Sequence, residues 1–588
     1  MSPSYDIAIV GAGLSGLTCA YYLKKLEPQL RIVILERSGT AGGLTGNWID
    51  HRLGPKKKLQ YPMHMIFVSK YRNLCQLINE VGAILSPRYT GYDIITSDQK
   101  RHRLEMKDWT SKKLPPPFHS LGMFARLNLS LRAKWDLFKL ACICTYCADY
   151  FIRHKDNWKK FQEPPYVPNT LSLESLELIL RLHPEARDFV ETATPSIYNS
   201  HPWYTSAPKM AAVIAGTMVM DYDSLHYQVF GKNYNPAFID NFVEKLKQMG
   251  VDFKFWTEVR RIDANKKGNR IEAIWYKPYG PEAGGIRYVC ENCGAENYCL
   301  DRAFCTRCGL DTTLDKIGAG KIHTTVANEL WAKPQKRKYE RLECSRLITA
   351  IYPHMIAKLI PLDSPLRKNP FVISMFSSKL NQTQLSIARV YYKKQITDQK
   401  YITGTHNPTF CFNGCQSVYN NFGGEDLDHE GDVIDVLLDV GVVRDAHSPQ
   451  TQIQRIIHDL HKVYPDANPS LVEYVSFANI YPEVLYHSEQ PSIAGSYRFF
   501  NRHRTEVENW YVAGCHSGSI GIGMESAVES AKSTVNCILE DMGSSKKVEI
   551  LSYQMHPFCK LVAKLGEGLL WWKGAGKFYR KAAKTQKL

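Results

Sequence analysis

The 588 residues are too many for a single hydrophobic core, so two or three domains are expected, with 44% hydrophobic and 22% charged residues, the ordinary make-up of a globular protein. The net charge of +16 favours anionic partners, a phospholipid surface or a nucleic acid. Sixteen cysteines, in a chain whose first strand leaves no room for a leader before Tyr5, are expected to be reduced thiols in a cytoplasmic setting, which excludes a disulfide framework; no stretch reaches the roughly 18 clean apolar residues of a membrane span.

The chain opens with YDIAIV, a near-continuous apolar run that reads as a buried parallel strand. Gly11, Gly13 and Gly16 follow at G-x-G-x-x-G spacing, then a helical pattern, then the strand RIVILE ending in Glu36. Gly11 makes the tight turn, Gly13 lets the backbone approach a pyrophosphate, and Gly16 lets helix pack on strand. Leu14 and Ser15 open a helix whose N-terminus offers N–H groups to phosphates. Glu36 stands where an acid accepts hydrogen bonds from a ribose diol. A dinucleotide site is the expectation; a βαβ unit with an ordinary turn is the alternative. Glu36-Arg37-Ser38 and then Gly42-Gly43-Leu44 complete a pattern that resembles the FAD-binding signature of the flavin amine oxidase and phytoene desaturase superfamily. The resemblance implies that FAD is the dinucleotide and that Arg37, Gly42, Gly43 and Leu44 pass close to it.

Next come Pro62-Met-His-Met-Ile-Phe67 and an amphipathic helix ending near Gly82, similar to a segment of plant-type phytoene and ζ-carotene desaturases. His64 is a catalytic candidate on that resemblance, and a packing histidine otherwise. Residues 93–230 read as helical and aromatic, a substrate domain inserted into the FAD fold; within it Trp135–Ile152 carries Asp136, Lys139 and Asp149 and reads as a buried or interfacial helix. FIDNFVEKLKQMG is a helix closed by Gly250, and VDFKFWTEVRRI a strand, turn and strand. The resemblance implies that Val259 meets the adenine through its backbone; a buried strand valine is the plain alternative.

About 60 residues then interrupt an expected hairpin before CSRLITAIYPHMIAKLIP, a strand and helix in which Lys358 is a second catalytic candidate, of amine-oxidase type, or a surface lysine. The interruption carries Cys290-x-x-Cys293-Gly and Cys305-x-x-Cys308-Gly, two knuckles supplying four thiolates for a tetrahedral structural Zn²⁺. Cys299 is not expected to be a ligand, and the basic flank KPQKRKYER reads as a solvated loop. As an insertion in a hairpin, the ribbon is expected to be removable with the flavin still bound.

From Asn369 onward VISMF, LSIARVYY and TFCFN read as strands and QIQRIIHDLHKVYP as a helix. NWYVAGCHSGSIGIGMESAVESAKSTVNCIL is similar to the superfamily's closing strand, glycine turn and helix, which implies cofactor contacts at Gly514, Cys515, Met524 and Glu525. Cys515, Ser526 and Ala531 depart from the pattern, Cys515 removing an acidic contact. Gly523 stands where the amine oxidases of the superfamily commonly carry an aromatic residue.

The expected fold class is α/β. A Rossmann-type FAD-binding domain (1–92, 235–285, 326–362, 501–545) carries an inserted α+β substrate domain (93–234, 363–500) and a small zinc-ribbon insertion (286–325). Residues 546–588 form a basic amphipathic tail in which Phe558, Leu561, Val562, Leu565, Leu569 and Trp572 would share one helix face; it is a candidate for an anionic membrane surface or for docking on the protein itself. The expected function is FAD-dependent oxidation of an apolar, isoprenoid-like substrate by a desaturase-like enzyme. Amine oxidation is the alternative within the superfamily, and a non-catalytic flavoprotein whose ribbon binds a partner or nucleic acid is the alternative outside enzymes. Substrate identity, electron acceptor and oligomeric state are not readable.

Overall fold

The computed structural model describes residues 5–54, 57–59, 65–68, 70–88, 91–105, 114–155, 157, 160, 165–168, 171–198, 201–203, 205–219, 227–290, 293–299, 305–307, 339–377, 382–406, 409–422, 427, 429–439, 449–477, 486–489, 502–518 and 523–572. His64, Cys308, nearly all of the basic flank and the tail beyond Trp572 lie outside them.

β1 (Tyr5–Val10) leads into α1 (Leu14–Leu26), and β2 (Ile32–Leu35) returns parallel to it with Ile7 opposite Ile32. Every residue of β2 is buried, as a parallel strand covered on both faces requires. α2 (Arg72–Val81) ends as read, with Gly82 left-handed at φ 80°. β3 (Gly91–Ile95) and β4 (Arg101–Glu105) then form a hairpin, so the stretch after residue 93 is not helical from its start. In β4 exposed Arg101 and Arg103 alternate with buried His102 and Leu104, a period of two hidden among charges.

The helical segment follows, with α3 (Leu131–His154), started by Ser130 accepting from Ala133 N–H at 3.3 Å, and α4 (Ala207–Met218) packed on it. The chain re-enters the Rossmann core through α5 (Asp240–Gln248), β5 (Val251–Lys254) and the antiparallel β6 (Thr257–Ala264) and β7 (Ile271–Pro278). The ribbon hairpin β8 (Ile286–Val289) and β9 (Glu296–Cys299) follows, and β10 (Glu340–Leu342) pairs with β7, so the insertion does interrupt a hairpin. β11 (Cys344–Thr349) and α6 (Pro353–Lys358) come next.

VISMF is not a strand. Pro370–Ser377 is a helix, because Asn369 Oδ1 accepts from Phe371 N–H at 2.8 Å and Pro370 presets the first turn. β12 (Gln382–Tyr392), β13 (Ile402–Thr405), β14 (Phe412–Ser417), β15 (Val433–Leu438), α7 (Pro449–Val463) and β16 (Val472–Phe477) build the second large unit. Its sheet runs β16-β12-β15-β14-β13-β3-β4, with Tyr486–Glu489 also paired to β12. The buried Arg389–Asp435 pair (Nε–Oδ1 2.6 Å) also reaches Lys58 O at 2.6 Å, tying this sheet to the segment after the glycine-rich loops.

β17 (Trp510–Val512) and α8 (Gly523–Asp541) complete the Rossmann unit, whose sheet has the order β17-β11-β1-β2-β5 with every neighbouring pair parallel. The chain then forms α9 (Pro557–Trp572), docked along α3. Its buried stripe is Cys559, Val562, Ala563, Gly566 and Leu570; of the row of larger residues read as a shared apolar face, Phe558, Leu561, Leu565 and Trp572 are exposed and Leu569 is half-buried. Small side chains win the contact because they let two backbones approach: a Cβ at Gly566 would lie 2.2 Å from Cys142 O. Among the described residues no helix is long and apolar enough to cross a membrane.

Candidate functional site

Three stretches distant in sequence meet at the C-terminal ends of β1, β11 and β17, where parallel sheets take their ligands. Gly11 turns at φ 104° and its N–H donates to Leu35 O at 2.9 Å. A Cβ on Gly16 would lie 2.1 Å from Gly11 O, so α1 rests on the turn by its backbone. Nothing lies within 4 Å of where a Cβ on Gly13 would be. Gly13 is the N-cap of α1 with no side-chain cap, so the first-turn N–H groups of Leu14, Ser15 and Gly16 face an open approach. This is the space and polarity a pyrophosphate requires, and the residues present fit one.

Glu36 spans the two adjoining loops, accepting from Ala12 N–H at 2.7 Å and from Ser38 N–H at 2.8 Å and Oγ at 2.9 Å. A carboxylate has about four lone-pair sites, which leaves capacity for a ribose diol. The second glycine pair closes the other side: Gly42 N–H donates to Ala12 O at 2.9 Å, and a Cβ on Gly43 would lie 3.2 Å from Gly13 Cα. Leu44 packs half-buried beside Trp48, and Arg37 Nη2 donates to Thr306 O at 3.4 Å. β6 starts against this rim, with Thr257 N–H donating to Glu36 O at 2.9 Å. Val259 has its side chain in the apolar core, as a buried strand valine does.

In the closing segment Gly514 N–H donates to Ser530 Oγ at 3.1 Å, and half-buried Cys515 accepts from Ser526 Oγ at 2.8 Å. Ser15 Oγ donates to Ala527 O at 3.2 Å and Cys19 Sγ lies 3.7 Å from Ala531 O, so alanine at 531 still lets α1 and α8 touch. Met524 is buried in the core. Glu525 has other employment for its side chain: its carboxylate accepts from Asn73 N–H at 3.2 Å, Asn73 Nδ2 at 2.9 Å and Leu74 N–H at 2.8 Å, capping α2 from a distant element. Lys358 is exposed at the end of α6, its Nζ 3.8 Å from Met355 Sδ, a surface lysine and not a group inside the site.

Below the cradle lies a layer of buried charge that the sequence did not reveal. Burial pushes the Glu525 carboxyl up to about 7 against its hydrogen bonds from α2. Lys532 bonds Asn73 Oδ1 at 3.0 Å and Gln76 Oε1 at 2.7 Å, and burial lowers it to about 8. Lys70 donates to Val213 O at 3.2 Å, and burial lowers Lys70 and Lys209 each to about 7, with Glu525 and Glu529 respectively opposing the shift.

The sulfurs of Cys290, Cys293 and Cys305 lie buried within 4.8 Å of one another, Cys293 and Cys305 at 3.6 Å. A tetrahedral ion with Zn–S of about 2.3 Å places sulfurs about 3.8 Å apart. Gly294, left-handed at φ 72°, folds the first knuckle by donating to Cys290 O at 2.7 Å. The cluster shares a small core with Trp48, Leu59, Ile387 and Leu437, so the ribbon is wedged between the glycine loops and the second sheet and is not a peripheral module. Arg307 donates to Gly43 O at 2.8 Å and to Gly46 O and lies 4.4 Å over Trp48; its one signal in the sequence is a basic residue inside C-x-x-C.

Residues 9–81 match the model of an NAD(P)-binding Rossmann-like domain, and residues 346–539 that of a flavin containing amine oxidoreductase. Among curated proteins the chain is similar to the thiamine thiazole synthase of Eremothecium gossypii, 43% identical over 60 residues that make up 10% of this chain and 18% of that protein. It is similar also to that of Schizosaccharomyces pombe, 50% identical over 48 residues, 8% of this chain and 14% of that protein. The chain thus spans under a fifth of the length of these relatives. Among solved structures, a putrescine oxidase double mutant covers 91% of this chain and 99% of its own at 16% identity and TM-score 0.56. Cyclohexylamine oxidase from Brevibacterium oxydans IH-35A covers 92% and 100% at 13% identity and TM-score 0.57; these share the fold.

Two outcomes follow for the purified protein. Gly13→Val fills the open approach and abolishes dinucleotide binding without a large loss of stability, whereas Gly16→Ala loses both, because its methyl meets the Gly11 carbonyl; melting and binding titrations separate the two. The second concerns pH. Lys70 and Lys209 fold with values near 7, below the unfolded value of about 10.4, so between those limits the unfolded chain holds protons that the folded chain does not. Stability therefore rises with pH across that window, by at most about 1.4 kcal/mol per pH unit for each lysine. Lys209→Met should flatten the slope in thermal melts from pH 7 to 10; an unchanged slope shows that Lys209 is not its source.

Proposed function

We propose that the chain is an oxidoreductase of the FAD-dependent amine oxidase/desaturase superfamily, that it binds FAD without a covalent link and that it oxidises an apolar, isoprenoid-like substrate at an allylic C–H. The observation that carries the cofactor reading is the open approach at Gly13 between the uncapped end of α1 and the Gly42–Gly43 loop, with Glu36 on the ribose side. When bound, the flavin supplies the hydride acceptor at N5. The chain's residues bind and orient it: α1 N–H groups meet the pyrophosphate, Glu36 the ribose, and the main chain at Val259 the adenine side.

Gly523 supports the choice of substrate class. It begins α8 at φ 59° with nothing within 4 Å of a Cβ position, where amine oxidases of the superfamily commonly carry an aromatic that frames the amine. An uncrowded position suits an extended hydrocarbon. Amine oxidation is the second reading, favoured by the putrescine and cyclohexylamine oxidases among the structural neighbours. We propose in addition one structural Zn²⁺ on Cys290, Cys293 and Cys305, with Cys308 as fourth ligand; the buried sulfurs at tetrahedral spacing support it.

A cytoplasmic location at an anionic membrane surface belongs to the same proposal. Trp571 and Trp572 are 69% and 74% exposed, and Leu561 and Leu565 of α9 and Leu131 and Trp135 of α3 are exposed with them. Lys560 and Lys564 flank them, and the sequence past Trp572 is basic with no acidic residue.

Acid precipitation should release yellow FAD, and metal analysis return about one zinc per chain. Anaerobic addition of isoprenoid polyenes should bleach the flavin while putrescine and cyclohexylamine do not; bleaching by the amines alone makes the second reading correct, and a protein that cannot be reconstituted with FAD removes both. In co-sedimentation the intact protein should pellet with anionic vesicles at low salt and be released as salt rises. Replacing Trp571 and Trp572 by serine should keep it in the supernatant; undiminished pelleting assigns the membrane contact elsewhere.

A further inference from the structure

The cysteine cluster and the glycine cradle are joined by a short chain of direct contacts. From the first knuckle, Cys293 O accepts from Trp48 Nε1 at 2.8 Å, and His51 N–H donates to Gly294 O at 2.9 Å. From the second, Asn297 in β9 locks the turn after Cys305: its Oδ1 accepts from Thr306 N–H at 2.8 Å and Oγ1 at 2.9 Å, and its Nδ2 lies 3.4 Å from Cys305 Sγ. Thr306 O accepts from Arg37, and Arg307, 9% exposed, donates to both Gly43 O and Gly46 O across the Trp48 ring. The next ribbon residue, Tyr298, meets Trp256 edge-on at 5.0 Å. Trp256 is a non-glycine residue at φ 50°, its ring occupying the space in front of Gly39 and its N–H donating to Ser38 O at 3.2 Å. The ribbon thus holds the loop from Arg37 to Gly46 directly at Arg37, Gly43 and Gly46, and through Trp256 at Ser38.

We propose that Arg307 is a positioning residue for the flavin, and that a metal ion on the cysteine cluster sets Arg307 in place, so that FAD retention depends on the metal. The inference rests on the reading of the cradle as an FAD site and of the cluster as a zinc site. Gly43 leans on Gly13, which faces the pyrophosphate approach, and both Gly42 and Gly43 sit in left-handed conformations with wide freedom of their own. Their carbonyl side is held by a guanidinium whose backbone lies two residues from a metal-ligating sulfur. With the ion bound, the knuckle has one geometry, since metal binding is itself folding free energy for such a loop. Without it, the turn carrying Thr306 and Arg307 keeps the Asn297 bonds but loses the tie from the second knuckle to the first. Arg52 lies near enough to Cys290 and Cys293 to interact electrostatically, so with Arg307 it sets positive charge beside the thiolates a metal would need. On this proposal the ribbon could not be excised with the flavin left in place.

The test uses the full-length protein carrying FAD and Zn²⁺. Treatment with 1,10-phenanthroline should release flavin into the filtrate in step with zinc, and Zn²⁺ with FAD should restore both. Arg307→Ala should keep its zinc equivalent yet bind FAD about tenfold more weakly or worse, having lost two charge-assisted bonds, and Arg307→Lys should recover part of that loss. Zinc-stripped protein that keeps its FAD, or Arg307→Ala with parental flavin affinity and release rate, overturns the proposal. So does a flavin-loaded protein that takes up no zinc, an outcome that leaves the flavin reading intact, whereas absence of FAD binding in the parent removes that reading instead. If Arg307→Ala fails to fold, the chelation arm decides alone.

Discussion

The contact of α1 with the turn below it governs the molecule. At Gly16 a backbone carbonyl occupies the place of a side chain, so the helix seats on the strand without a spacer and its N-terminus lands at the end of the parallel sheet. That placement fixes α8 as well, because Ser15 and Cys19 reach its carbonyls directly. The glycine loop from Gly42 to Gly46 then has one position left, between Ala12 and Arg307.

The layer beneath the cradle shows how such a frame is stiffened. Glu525 supplies the cap that α2 lacks locally, and Lys532 crosses from α8 to Asn73 and Gln76 of the same helix. Burying these groups is costly, and taking away the hydrogen-bond partners that α2 supplies would leave them uncompensated in the core. Alternative packings of α2 against α8 are thereby penalised.

The parts of this architecture legible in the sequence are those where backbone geometry forces a residue type. A Cβ has no room at 11 or 16, position 82 turns at a positive φ that favours glycine, and an apolar run is the mark of a doubly covered strand. Misreadings arose where a local pattern had two solutions. VISMF has strand composition, but the Asn369-Pro370 start decides for a helix. β4 hides its alternation beneath arginines whose stems lie outside the core. In α9 the largest apolar residues suggested the buried face, yet close approach to α3 selects the smallest. Arg307, Lys70 and Lys209 were invisible for a different reason: each acts through a partner more than a hundred residues away in the chain, which no local window contains.

The order of the parallel sheet has a consequence for how the protein comes into being. Its central strand begins at Tyr5, its neighbour toward one edge at Cys344, and the edge itself at Trp510. The βαβ unit is therefore made with the flank of β1 uncovered until Cys344–Thr349 follows, and the outer edge of the sheet stays open until Trp510–Val512 has been made. Contacts of such long sequence separation form slowly, so the glycine cradle closes only after those strands have been made. During synthesis the apolar edge of β1 is open to chaperones and to like strands of other nascent chains, and nucleotide added early would meet half a site.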